Sequence, residues 1–174
     1  MAKNCLNKLS GNITVGCTIA PVGVKDIYLM HAEDTTFTYG STGVVVAATF
    51  AAGTKSYKIE GYKQNIQVTA SMKTTDASAR VDTSVTFKIP YNYTNRGFIN
   101  TVVSGKFYVL VVFNDGDITV LGDSSPLECS SADFDSNANA KMVTITLASP
   151  EGSAGNSARS MSDVVATSII SKSV

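Results

Sequence analysis

The sequence predicts an all-β fold, a mainly antiparallel β-sandwich or barrel with one short flanking α-helix, and three observations carry that expectation. β-branched and aromatic residues gather into short runs separated by Gly, Asn, Asp and Ser. Several runs alternate apolar and polar residues with a period of two, as strands with one buried face do. One segment alone departs from that period and spaces its apolar residues helically. The 174 residues are enough for one domain with a substantial core, so 1–174 is read as a single β domain.

Upstream, residues 43–50 and 57–61 flank Ala51-Ala52-Gly53-Thr54, a turn composition. In 65–72, Ile66, Val68 and Ala70 alternate with Gln67, Thr69 and Ser71, which continues a meander. The polar stretch Met72-Lys73-Thr74-Thr75-Asp76-Ala77-Ser78-Ala79-Arg80 is read as a loop. Val81, Thr83, Val85, Phe87 and Ile89 then share one strand face, and Pro90 ends the strand by removing a ladder donor. Thr94 or Asn95 caps a helix of about ten residues in which Phe98, Ile99, Val102 and Val103 form the apolar stripe, with Gly105 expected in a left-handed C-terminal position. The clearest hairpin joins 107–113 to 118–121 through Asn114-Asp115-Gly116-Asp117, because Asp-Gly tolerates the positive φ of a tight turn. Residues 141–147 alternate again through Met142 or Val143, Ile145 and Leu147. The Ser/Gly/Ala/Asn-rich 149–162 reads as a loop, and 163–170 as a terminal element of either type, with a strand favoured. No repeat of fixed period is present, which removes solenoids and propellers.

Composition narrows the function. Fourteen basic and fourteen acidic side chains cancel, so whole-chain charge makes no case for a polyanion binder. The charge is unevenly spread: residues 1–114 hold 11 basic and 6 acidic side chains, and 115–174 hold 3 and 8, giving +5 and −5. That asymmetry suits head-to-tail contact between copies, though a solvated surface produces it as readily. Mean hydropathy is +0.11 and only 16% of residues are charged, whereas Ser and Thr number 39. A surface built from hydroxyls is weakly protected against self-association. The first ten residues lack the apolar region of an export signal, so no export is expected. The longest apolar stretches, 44–52 and 107–113, fall short of the ~20 residues a membrane helix needs, so no membrane partner is expected. Cys5, Cys17 and Cys129 form no C-x-x-C pair and stand with a single histidine, so free thiols are the simplest reading and a Cys5–Cys17 bridge the alternative.

The residues that carry chemistry are sparse. Nucleophilic catalysis of the Ser-His or Cys-His type needs a histidine base, and His31 in Tyr28-Leu29-Met30-His31-Ala32-Glu33-Asp34 has no nucleophile motif near it, so a structural histidine and no enzyme are expected. Asp133-Phe134-Asp135-Ser136-Asn137-Ala138-Asn139 resembles the opening of a calcium loop. Ala138 and Thr144, however, stand where such a loop needs Gly and a bidentate Glu, so a polar turn is the better reading and no metal or cofactor is expected. Asp115 and Asp117 fit turn chemistry. Asn12-Ile13-Thr14 and Asn92-Tyr93-Thr94 match a glycosylation pattern that carries no weight without an export signal. Lys55, Tyr57, Lys58, Tyr62 and Lys63 resemble a stacking platform for single-stranded nucleic acid, a pattern that an ordinary half-buried strand also shows.

Taken in order, several of these pieces resemble the tail tube proteins of tailed bacteriophages. They are Asp26-Ile27-Tyr28-Leu29 followed by Glu33-Asp34, Ser56-Tyr57-Lys58-Ile59-Glu60 leading into 65–72, Thr86-Phe87-Lys88-Ile89-Pro90, the helix around Phe98, and Tyr108-Val109-Leu110-Val111-Val112-Phe113-Asn114-Asp115-Gly116 with its partner ending Val120-Leu121-Gly122. The resemblance spans 24–150, leaving 1–23 as an N-terminal arm and 151–174 as a C-terminal extension. It implies a virion structural protein, a tail tube or tail ring subunit, assembled in the host cytoplasm. Its sheets would join those of neighbours in a homo-oligomeric ring around a channel that DNA crosses without sequence-specific binding, and other tail or portal-vertex proteins would be its partners. Lys73, Thr74, Thr75, Asp76 and Arg80 would then form an inter-subunit loop reaching the next ring. Two other classes compete: a monomeric β-sandwich binding module of adhesin or carbohydrate-binding type, and a capsid decoration or head-fibre protein. Against a sugar platform stands the absence of Trp.

Overall fold

The structure is a computed structural model that describes residues 23–61, 65–75, 78–134, 136, 141–150 and 159–174. Eleven strands and two helices follow in the order β1 (Val24–His31), β2 (Thr35–Tyr39), β3 (Val45–Phe50), β4 (Ser56–Glu60), β5 (Ile66–Thr75), β6 (Ser78–Pro90), α1 (Tyr93–Ser104), β7 (Lys106–Phe113), β8 (Ile118–Leu121), β9 (Leu127–Phe134), β10 (Met142–Ala148), β11 (Arg159–Ser160) and α2 (Asp163–Ile170). Every pairing between these strands is antiparallel, which confirms the expected fold class.

Nine strands share one hydrogen-bonded path that turns a corner at β7. Its last residues, from Val109 to Val112, pair with β8, whereas Lys106 and Phe107 pair with Glu128 and Leu127 at the start of β9. β9 then leaves to lie along β10, which pairs with β6, which pairs with β5. The result is two half-sheets, β4-β1-β7-β8-β11 and β9-β10-β6-β5. Their inward side chains meet in one apolar cluster: Ile27, Leu29, Ile59, Val109, Val111 and Leu121 from the first half, Ile66, Val85, Phe87, Val143, Ile145 and Leu147 from the second. Ile99 and Val102 of α1, with Phe107 and Leu127, close one end of it. In β9 the register slips opposite Thr146 and Leu147, and the hydroxyl of Ser130 donates to the Thr146 carbonyl, a bulge that bends the strand leaving the corner.

A second core lies on the opposite face of the first half-sheet. There Tyr28, Met30, Leu110 and Val120 pack against Phe37 and Val45 of the separate β2–β3 hairpin and against Met161, Val165, Ala166 and Ile169 around α2. β1 is therefore buried on both faces over Ile27 to Met30, and its side chains read as a continuous apolar run instead of an alternation. Burying a Leu, Ile or Phe side chain is worth ~1.5–3 kcal/mol, so these two layers account for most of the favourable burial in the fold.

The hairpin expected from Asn114-Asp115-Gly116-Asp117 is present. Phe113 N–H donates to the Asp117 carbonyl at 2.9 Å, Gly116 takes φ +95°, and the Asp117 N–H donates to Asp115 Oδ1. The helix is present too, but its cap is Asn92, whose side chain accepts from the Asn95 N–H at 2.8 Å, two residues before Thr94 and three before Asn95. Gly105 has φ −96°, so it is no left-handed cap. Glycine is required there for space: an added Cβ would lie 2.5 Å from the Phe107 ring.

Further local expectations are overturned: within 149–162, read as a loop, Arg159–Ser160 form β11 paired with β8. Residues 163–170 form helix α2, since Val165, Ala166 and Ile169 at i, i+1 and i+4 fill the second core, and tertiary burial outweighs their β-branched composition. Asp163 in its first turn favours the helix dipole. The stretch 72–80 is not a loop: β5 runs to Thr75, β6 starts at Ser78, and the pairing continues through Met72–Val81, Lys73–Arg80, Thr74–Ala79 and Thr75–Ser78. Ladder hydrogen bonds to a long partner strand carry a polar sequence that has no apolar pattern of its own to mark it. Asp76 lies outside the described residues, as do Cys5, Cys17, Tyr62 and Lys63.

Candidate functional site

The β5–β6 hairpin begins as core and ends as surface. Ile66 is 6% exposed, Val68 half-buried, Ala70 exposed, and Met72 73% exposed, while on β6 Val85 and Phe87 are fully buried and Val81 is half-buried. The apolar face of the ribbon thus continues past the end of the body. Among the described residues β5 pairs with β6 alone, which leaves the outer edge of a ten-residue strand to offer its backbone groups to a further strand. Lys73 is its only charged residue, and charge is the usual device that keeps such an edge from pairing. Of the residues expected at an inter-subunit loop, register brings Lys73 opposite Arg80 and Thr75 opposite Ser78, all on strands near the hairpin end.

The other face of this half-sheet is built from hydroxyls and amides. Gln67, Thr69 and Ser71 stand opposite Thr86, Ser84 and Asp82. Thr86 and Lys88 stand opposite Thr146 and Thr144, which in turn oppose Ser131 and Asp133. Thr69 and Ser84 hydroxyls are 2.6 Å apart and those of Thr86 and Thr146 are 3.0 Å apart, so the threonines cross-link neighbouring strands. By register Lys73, Arg80, Asp82, Lys88 and Asp133 share this face, and neither apolar cluster lies on it. Sequence periodicity marked the face as polar; only the strand order shows that four neighbouring strands pool their hydroxyls into one surface.

At the opposite end of the body, Asp123 and Arg159 tie β11 to the segment after β8. Arg159 Nε lies 2.5 Å from Asp123 Oδ2, a charge contact without hydrogen-bond alignment, while the Asp123 side chain is fully buried. Arg159 also donates to the Gly43 carbonyl at 3.3 Å and covers the Tyr39 ring, whose hydroxyl donates to the Asp123 carbonyl. Burial and then the Asp123 charge push the Tyr39 phenol above its usual range. No composition signal marks this clamp, because its members are far apart in sequence.

A cleft of about 760 Å³ opens between the β4 edge and the ends of β6 and β10, lined by Tyr57, Lys58, Glu60, Lys88, Pro90 and Phe98 among others. Lys58 is held there by Asp26 at 3.6 Å and Glu60 at 3.1 Å. The Glu60 hydrogen bond is the main reason its ammonium titrates above the usual range. Tyr57 is half-buried against Phe98, ring centres 6.0 Å apart, so Tyr57 and Lys58 are committed to packing and ion pairing instead of an open stacking platform. His31 packs its ring beside Phe107, centroids 4.9 Å apart. Asp133 and Phe134 belong to β9, Phe134 stacking on Tyr91, and among the described residues no group of His, Cys, Asp and Glu is placed to hold a metal ion. Cys129 is a free thiol whose Sγ donates to the Ser131 carbonyl, and burial pushes its titration up. No helix among the described residues is long and apolar enough to cross a membrane. Comparison with known proteins finds no matching family model, curated protein or solved structure.

Proposed function

We propose that the protein is a structural subunit that assembles with copies of itself through strand addition, in the manner of a phage virion tail tube or tail ring around a DNA channel. One observation carries the reading: among the described residues a ten-residue strand, β5, has no strand on its outer, nearly uncharged edge, and its apolar face is increasingly exposed as far as Met72. In an isolated molecule that arrangement is an aggregation hazard, and closed association of many copies removes it. The hydroxyl face beside it supports the channel role. Thr, Ser and Gln outnumber the cations on it, and hydroxyls and amides do not hold passing phosphates by counterion release as cations do. Neighbouring tail or portal-vertex proteins are the further partners, and the assembled virion is its location.

A second reading, a monomeric β-sandwich binding module, is favoured by the cleft of about 760 Å³ beside β4. Light scattering after size exclusion over a range of concentrations, with negative-stain microscopy of the large fraction, separates the two. Rings or tubes with a central hole are expected. A strict monomer at the highest concentration overturns the assembly reading and leaves the module.

A further inference from the structure

We propose that the inner cavity beneath α1 is a binding site for a small planar aromatic molecule bearing one hydrogen-bonding group, a phenol in size and polarity. The cavity measures about 220 Å³ and is walled by Leu29 and His31 of β1, Tyr57 of β4, Phe107 of β7, and Phe98, Thr101 and Val102 of α1. An apolar cavity of roughly 150 Å³ already admits benzene in a well-studied engineered case. The volume here takes one ring with a substituent and excludes larger ligands.

The walls select for a flat ring. His31 and Phe107 are 4.9 Å apart and inclined by 45°, His31 and Tyr57 6.1 Å apart and nearly perpendicular, and Tyr57 and Phe98 6.0 Å apart at 60°. A guest ring between such surfaces gains the offset and edge-to-face contacts that aromatic groups prefer at centroid separations of about 4.5–7 Å. The polar group of the guest also has a partner. The Thr101 hydroxyl is already spent on the Gly97 carbonyl at 3.1 Å, whereas the His31 imidazole has no hydrogen-bond partner among the described residues. An imidazole offers one donor and one acceptor on separate nitrogens; a phenol hydroxyl can pair with one of them, and benzene with neither.

Access and persistence fit the same reading. Tyr57 and Phe98 line both this cavity and the larger cleft outside it, so the cleft is the entrance and those two rings flank the passage. Voids of this size weaken a fold, and a larger side chain at Thr101, an exposed helix position, would fill this one. The site is separate from the β5 edge, so it stands or falls independently of self-assembly.

Ligand-observed saturation-transfer NMR on the full chain tests it, using phenol, benzene and cyclohexanol as probes. Phenol is expected to bind saturably in the millimolar range, about tenfold more tightly than cyclohexanol, the energy of one good contact. T101F should abolish binding while circular dichroism stays unchanged. H31L should reduce phenol to the affinity of benzene. Absence of saturable phenol binding, or binding that T101F leaves intact, overturns the proposal. If H31L does not fold, T101F alone decides, since Thr101 faces solvent on one side and tolerates a larger ring.

Discussion

The two ends of the β5–β6 hairpin share one backbone pattern and differ in everything around it. At the base, Ile66 pairs with Phe87 and Val68 with Val85 against the core; further out, exposed Ala70 pairs with Thr83, which is still buried, and exposed Met72 with half-buried Val81. Both halves are held by the same antiparallel ladder, so hydrogen bonding alone sustains a ribbon once the base is anchored. What differs is that the base is insoluble without its neighbours, and the distal half is available to new ones.

The comparison breaks most readily at the base. Phe87→Ala removes a fully buried ring at the centre of the larger core and should lower unfolding stability by about 3–5 kcal/mol, read from the denaturant midpoint. If Met72→Ala in the distal half costs as much, the two halves are not distinct. Next in size is the clamp at the other end of the body. Asp123→Ala leaves Arg159 without its buried partner, and because that guanidinium is one-third exposed the loss should be about 2 kcal/mol, short of the 3–5 of a fully buried pair. Self-assembly measured by light scattering should be unaffected by that change, as the clamp is remote from β5.

Alkaline titration gives a smaller effect confined to the second core. Burial raises the phenols of Tyr28, Tyr39 and Tyr108, so their folded titration lies above the unfolded value near 10. Their contribution is fully present below pH ~10 and is lost as pH rises through the folded titration. Thermal scans across that window should show a falling midpoint, with a shallower fall in Tyr39→Phe. The smallest change in stability belongs to the distal half: Met72→Lys should move stability by less than about 0.5 kcal/mol while sharply reducing assembly, because a charge is added to an exposed apolar stripe and edge. Unchanged assembly would remove the β5 edge from the interface.

Much of the architecture was legible in the chain because strand alternation and turn chemistry are local. Ile66-Gln67-Val68-Thr69, Val85-Thr86-Phe87 and Asn114-Asp115-Gly116-Asp117 each declare their conformation within a few residues. The candidate surface was legible only in part. The stretch 72–80 was recognisable as polar and as a place for contacts, but its extended pairing depends on a partner strand that no local window contains. β1 escaped periodicity for the opposite reason, being buried on both faces, and the cavity beneath α1 gathers Leu29, Tyr57, Phe98 and Phe107 from four elements.

The sequence by itself therefore determined the antiparallel β class, the hairpin at Gly116, the helix over Phe98 to Val103 and the low charge of the surface, since composition and period report directly on backbone preference and burial. Only the tertiary structure decided that 163–170 is a helix, that the half-sheets meet at β7, and that β5 is the last strand of the sheet among the described residues. Those outcomes turn on which distant residues come into contact, and a residue's conformation follows the contact that buries it when local preference is weak.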